Sequence, residues 1–201
     1  MTEMSSDVTM DANGATAIWQ GLRAGRLQDG AGPVAAVFRC ADAGISSETL
    51  FGQSAGSLVD ISTWGHTVDT SVLASIEYAV DALGIPLVVV LGHDDCPAMQ
   101  AALQAWKNAQ LPDGAMRSAV ENALLSVVRR GAAADCVASV TSAHIIDTAT
   151  ALVQRSPVLA RKIDRHEAGI VCATVSPATQ RITVHATLGA VRTDDAVLER
   201  I

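Results

Sequence analysis

Three short apolar runs frame the chain. Val34-Ala35-Ala36-Val37-Phe38 leads into a strand expected over 34–40, a second strand is expected over 58–62, and Leu87-Val88-Val89-Val90-Leu91 reads as a third. The first and last are apolar throughout, the pattern of a strand covered on both faces. Helical periodicity fills the spaces between them. Ile18, Trp19, Leu22 and Leu27 predict an amphipathic helix over 15–27. That helix packs either on its own domain or on a second copy of the chain. A short helix is expected from Ser46-Ser47-Glu48 to Gly52, with Ser46 or Ser47 as its cap. Val72, Ile76, Ala79, Val80 and Leu83 share one face of a longer helix over 68–83, and Asp69 stands at its positive end. A further helix is expected over 96–107. Helical pattern then continues, after Leu111-Pro112-Asp113-Gly114, to about 130, from about 133 to 154, and over 157–164. Two last apolar runs, 169–176 and 181–188, flank Pro177-Ala178-Thr179-Gln180. The second alternates through Ile182, Val184, Ala186 and Leu188, as in a hairpin at a sheet edge. Residues 1–13 are small and polar and are expected to form a loose arm, with a single domain over 14–201. No internal repeat, low-complexity block or linker interrupts that domain.

Composition narrows the partners. With 201 residues and 49% hydrophobic content the chain is long enough to bury a sizeable core. Aromatic residues make up only 3%, too few for base- or sugar-stacking platforms. A net charge of −7 disfavours nucleic acid and anionic membrane surfaces. No apolar run approaches the ~20 residues that span a bilayer. The opening Met1-Thr2-Glu3-Met4-Ser5-Ser6-Asp7 has neither a basic nor an apolar leader region. A cytoplasmic location is therefore expected, and there the four cysteines read as metal ligands or core residues rather than disulfides.

The chemistry concentrates at the ends of the first and third strands, in Cys40-Ala41-Asp42 and His93-Asp94-Asp95-Cys96. Two thiols and an imidazole are three of the four ligands of a tetrahedral zinc, and a catalytic zinc leaves the fourth position open. Cys40 and Asp42 point the same way on an extended backbone. His93 and Cys96, three apart, share one side of a tight turn or first helical turn. The carboxyl ends of strands are also where open α/β sheets place their sites.

These segments resemble the β-class carbonic anhydrases, whose pattern is Cys-x-Asp-x-Arg followed by His-x-x-Cys. The likeness takes in Glu48-Thr49-Leu50-Phe51, Gly65-His66, the stretch Leu73-Ala74-Ser75-Ile76-Glu77-Tyr78-Ala79-Val80, and Gly84-Ile85-Pro86 running into the third strand. It is strong over about 34–103 and weak beyond. The resemblance implies a mostly parallel α/β sheet flanked by helices with an antiparallel edge, and a homodimer or homotetramer. It also implies zinc on Cys40, His93 and Cys96, and reversible hydration of carbon dioxide to bicarbonate by zinc-bound hydroxide. Asp42 becomes the catalytic carboxylate, and Gln53 and Tyr78 become candidate bicarbonate contacts. For Tyr78 the residues alone equally allow a buried ring with its hydroxyl satisfied.

The departures fall around the metal. The Arg that partners the family's Asp is Gly44 here, and a second Arg is replaced by Ser62. Pro97 stands where a Gly usually follows the second Cys, and Trp64 stands where the family is usually small. Without a cation to hold it, Asp42 is expected to turn onto the zinc as a fourth ligand. Among possible replacements, Arg39 should point away from Cys40, leaving Arg117, Arg129 and Arg181 open. The expectation is a weak or switched lyase, with a catalytically silent, structural or regulatory zinc protein as the alternative. Relatives that hydrolyse carbon disulfide or carbonyl sulfide keep the Arg, so that reading gains nothing here. Gly52-Gln53-Ser54-Ala55-Gly56 spells a G-x-S-x-G nucleophile elbow. Its Ser needs a strand before it and a helix after it, the reverse of the order expected here. His66 could shuttle protons or be structural, while His144, His166 and His185 have no ligand neighbours in sequence.

Overall fold

The computed structural model describes residues 14–25, 32–131, 135–193 and the backbone of 199–200. The arm expected over 1–13 lies outside the described residues. Among the described residues six strands form one sheet: β1 (Ala35–Cys40), β2 (Leu58–Thr63), β3 (Leu87–His93), β4 (Gly169–Val175), β5 (Ile182–Gly189) and the two-residue β6 (Glu199–Arg200). Their order is β2-β1-β3-β4-β5-β6. The first four in that order run parallel to one another, and β5 returns antiparallel to β4. The expected hairpin is present, but β5 is not the edge, because β6 pairs with it at Ala186 and Thr187. Two residues are too few to leave a strand pattern in the sequence.

Seven α-helices among the described residues surround the sheet: α1 (Ala15–Arg23), α2 (Ser47–Leu50), α3 (Thr70–Glu77), α4 (Pro97–Asn108), α5 (Met116–Arg130), α6 (Val137–Arg155) and α7 (Pro157–Asp164). None of the described helices is long and apolar enough to cross a membrane. Every residue of β3 is buried, and the two faces go to different partners. Val88 and Val90 join a core with Ile76, Ile145, Leu152 and Leu159. Leu87, Val89 and Leu91 join Ile18, Trp19 and Leu22. Burial on both sides explains why this strand is apolar without alternation. The face of α1 is thus spent on its own chain, with Trp19 meeting Phe51 edge-on at 6.2 Å. The helix stops at Arg23, short of the expected 27, where Ala24 and Gly25 turn the chain.

The helix expected over 68–83 is real only in part. Asp69 caps α3 by accepting from the Val72 amide at 2.9 Å. After Glu77 the backbone widens into a π turn over Tyr78–Ala82. The wider turn shifts the helical phase of the residues beyond it. Ile76, Ala79 and Val80 stay buried, while Leu83 emerges and Tyr78 is 57% exposed. The buried-ring reading of Tyr78 therefore fails in this chain.

The parallel pairing of β1 with β3 matters most for function. Arg39 lies beside Leu91 in the register, so the strands end side by side and deliver Cys40 and His93 to one place.

Candidate metal centre

Cys40 is the last residue of β1 and His93 the last of β3. Cys96 occupies the N-cap of α4, and Pro97 takes the first helical position, where a missing N–H costs nothing. That accounts for Pro97 structurally: it starts the helix that carries the second thiol. One ligand atom from each of Cys40, Asp42, His93 and Cys96 lies within 4.8 Å of all the others. The two sulfurs are 3.8 Å apart. His93 Nε2 lies 3.0 Å from Asp42 Oδ1. The other ring nitrogen, Nδ1, donates to the Asp94 carbonyl at 3.0 Å, which fixes the ring with Nε2 facing the group.

The electrostatics call for a cation. Asp42 Oδ2 is buried and has no hydrogen-bond partner, an arrangement that costs free energy unless something positive fills it. The Cys96 thiol beside Cys40 pushes the Cys40 thiol well above its ordinary range, and burial pushes it further. Cys96 is lowered instead, chiefly by its hydrogen bond with Cys40. The amides of Met99 and Ala98 at the start of α4 help, against the opposing effect of burial. Burial pulls His93 down, but Cys40 and Asp42 together outweigh it and raise the ring's affinity for a proton. Four ligands of this kind, two sulfurs, one nitrogen and one oxygen, match the number and softness that zinc prefers. The group could hold a metal.

The walls of the centre come from the turn after β2. The amide of Gly65 donates to Cys40 Sγ at 3.1 Å. Trp64 packs beside Cys40, Cys96 and Met99. His66 is buried, with Nε2 3.0 Å from the Leu91 carbonyl and its ring edge-on to Phe38. Burial pushes it down to about 3, so it is neutral near pH 7 and serves as a structural ring.

A family model described as carbonic anhydrase matches residues 35–182, which span all four residues of this centre. The chain belongs to the β-carbonic anhydrase family. A carbonic anhydrase 2 from Mycobacterium tuberculosis is 40% identical over 153 residues, covering 76% of this chain and 73% of that protein. Among solved structures, the β-carbonic anhydrase CafA of Aspergillus fumigatus shares the fold with a TM-score of 0.66. Its identity is 18%, over 81% of this chain and 78% of that one. Tetrameric β-carbonic anhydrases from Sordaria macrospora also share it, with a TM-score of 0.58 and 18% identity over 83% and 84% of the two chains.

Against the β-carbonic anhydrase pattern, the missing arginines leave visible marks. Gly44 has φ +71°, and a Cβ built there would meet nothing within 4 Å. Ser62 is exposed and lies beside Arg39 in the β1–β2 register. The Arg39 side chain leaves β1 away from the Cys40 side chain and grips Asp60 through Nε at 3.0 Å and Nη2 at 2.9 Å, while its Nη1 donates to the Cys40 backbone carbonyl at 3.4 Å. Arg117 pairs with Glu121 at 2.7 Å and Arg129 with Asp147 at 3.1 Å. Arg181 lines a hollow shared with Asp94 and Thr174. Gln53 donates to the Phe51 carbonyl at 2.8 Å and so folds back on its own loop. Ser54 of the apparent nucleophile elbow sits in the turn between α2 and β2, the order opposite to that motif.

A cavity of about 220 Å³ adjoins His93, walled by Asp94, Asp95, Thr141, Thr174 and His185 among others. His185 faces it from a bulge, where the register passes from Cys172–Ala186 to Ala173–Val184 and leaves one residue over. Its Nε2 lies 2.8 Å from Thr174 Oγ1. Nothing in the local sequence marks His185, because a bulge is a property of two paired strands. The same is true of His144, which reaches the Gly65 carbonyl from α6 across 79 positions of sequence.

Proposed function

We propose that this protein binds zinc at Cys40, His93 and Cys96 and catalyses the reversible hydration of carbon dioxide to bicarbonate, at a rate held low by the loss of the arginine at position 44. The observation that carries this reading is the convergence of those three side chains with Asp42, whose Oδ2 is buried without a partner. Zinc held there would supply Lewis acidity, lowering the pKa of a water toward neutrality for attack on carbon dioxide. The chain's own residues then have separable tasks. His93 is oriented by the Asp94 carbonyl, and Cys40 is held by the Gly65 amide. Asp42 is the carboxylate available to take or orient a proton, or to close the site as a fourth ligand. Its position against His93 supports the closed arrangement in the resting protein.

The silent alternative rests on a specific observation. The room beside Gly44 is open, and three of the four arginines considered as substitutes are paired elsewhere. A zinc protein of structural or regulatory use would need no more than the four ligands. Stopped-flow carbon dioxide hydration by the zinc-loaded protein, from about pH 7 to pH 9 to bracket the expected titration, separates the two readings. It is run beside Gly44→Arg. Turnover in the wild type supports the lyase. Silence in the wild type with turnover in the variant means a site closed by Asp42. Silence in both favours the structural role.

We further read residues 14–201 as one domain that assembles as a homodimer or homotetramer in the cytoplasm. The tetrameric Sordaria relatives support the assembly, as do the exposed Tyr78, Trp106 and Val128. Light scattering on the eluting protein tests it, and a monomer would refute it. Gln53 and Tyr78 keep their proposed roles as bicarbonate contacts only if assembly or substrate re-aims them.

A further inference from the structure

The turn Trp64-Gly65-His66 is held at both backbone groups of its central residue. The Gly65 amide donates to Cys40 Sγ at 3.1 Å, and the Gly65 carbonyl accepts from His144 Nε2 at 2.9 Å. His144 sits on α6 and is buried, as is Ser126 on α5. The Ser126 hydroxyl lies 2.8 Å from the Asn122 carbonyl, 3.0 Å from His144 Nδ1 and 3.1 Å from Asp147 Oδ2, and its single proton serves one of these acceptors at a time. Asp147 is held in turn by Arg129 at 3.1 Å. His144 is thus packed into a polar cluster on one side and bonded on the other to the residue that touches a metal-ligand sulfur.

The proton on the Gly65 side of His144 is fixed by chemistry. A carbonyl only accepts, so Nε2 of His144 carries the proton. Burial lowers this ring's affinity for a second proton, which leaves Nδ1 as an acceptor for the Ser126 hydroxyl. The ring cannot change to another tautomer without breaking one of the two contacts. Gly65 is equally constrained: a Cβ there would stand 3.1 Å from both Ala98 Cβ and Ala119 Cβ, so α4 and α5 hold the turn from the side.

The geometry points to His144 as a positioning residue of the metal centre, one that aims the Gly65 amide at Cys40 and thereby sets how much charge the Cys40 thiolate gives to a bound metal. The inference rests on the zinc reading above. An N–H aimed at a thiolate withdraws electron density from the sulfur, and a metal facing a poorer donor remains a stronger Lewis acid. The Gly65 N–H and C=O belong to different peptide units joined through Cα, so His144 acts on the donor by fixing the turn that carries it rather than by polarising it. The Met99 and Ala98 amides face the other sulfur, of Cys96, in the same way.

Cobalt(II) replaces the spectroscopically silent zinc as the probe. Its thiolate-to-cobalt charge-transfer band reads the energy of the sulfur electrons directly. In His144→Leu the band is expected to move to longer wavelength, because the Cys40 sulfur loses its aimed N–H. His144→Gln, whose amide N–H can still reach the Gly65 carbonyl, is expected to restore it. A band at the wild-type position in cobalt-loaded His144→Leu overturns the inference and makes His144 a packing residue only. Should that variant fail to fold, His144→Asn, whose shorter amide withdraws from the Gly65 carbonyl, takes its place, and an unmoved band there overturns the inference equally. A wild type that shows no thiolate-to-cobalt band at all would sink the metal centre itself, a different failure.

Discussion

Replacing Gly65 by Ala tests whether the wall of the centre is as tight as its contacts indicate. Two costs add. The backbone at φ +63° lies in the left-handed region, where a side chain costs about 1–2 kcal/mol. The new methyl would meet Ala98 Cβ and Ala119 Cβ, both at 3.1 Å, and overpacking of this kind costs about 1–3 kcal/mol. The sum, about 2–5 kcal/mol, is a large share of the roughly 5–15 kcal/mol that holds an ordinary domain together. Gly44→Ala is the control: its φ is also positive, at +71°, but nothing lies within 4 Å of the added carbon. It should lose only the backbone share, about 1–2 kcal/mol. Urea unfolding reads both. With a slope near ~2 kcal/mol per M, the midpoint of Gly65→Ala should fall by roughly 1–2.5 M and that of Gly44→Ala by less than about 1 M. Equal shifts in the two variants would refute the packing argument, because they would show that α4 and α5 give way at no cost. An unmoved midpoint in both would refute the backbone argument too.

Stripping metal with a chelator should lower the melting temperature, and zinc at ~100 times its Kd should restore about 2.7 kcal/mol; a melting temperature indifferent to both treatments would refute a bound ion. His66 has a folded pKa near 3 against 6.5 unfolded, so the unfolded chain binds more protons between those values. Its contribution to stability is complete above pH 6.5 and is lost as pH falls toward 3. His66→Leu should therefore flatten the decline of stability between about pH 6.5 and pH 5, measured by urea midpoints, and an unchanged slope would refute the neutral buried ring. Arg39→Ala breaks a two-point grip on Asp60 in which both side chains are less than a quarter exposed. It should cost about 1–2 kcal/mol and leave zinc content unaltered; loss of zinc would show that Arg39 does reach the centre.

The parts of this molecule written in local pattern are legible in the sequence, and the parts made by distant neighbours are not. β1 and β3 follow apolar runs and β2 mixes apolar with polar residues, and all three stand within two residues of their expected bounds. The candidate metal ligands sit at or just beyond those ends, which is why Cys40, Asp42, His93 and Cys96 can be named together from the chain alone. The direction of Arg39 is legible too, because strand residues alternate sides. The π turn is not, since widening a helix by one residue leaves no mark in a helical pattern already apolar on one face. That turn brings Leu83, expected on the buried face, out to the surface. His144 and His185 escape a sequence reading for a different reason. Each acquires its partner only through the stacking of α6 on the sheet or the pairing of β4 with β5.

The parallel register of β1 with β3 also sets the order of events in time. Cys40 and His93 stand far apart in the chain, with β2, α3 and the crossover between them. Gathering these ligands before β1 and β3 pair carries the entropic cost of closing that loop, which the sheet removes. Contacts of this long range also form slowly. A metal ion bound there would therefore act as a latch on a chain already assembled: it should slow unfolding far more than it speeds folding, and metal-starved protein should persist as a folded, fillable reserve.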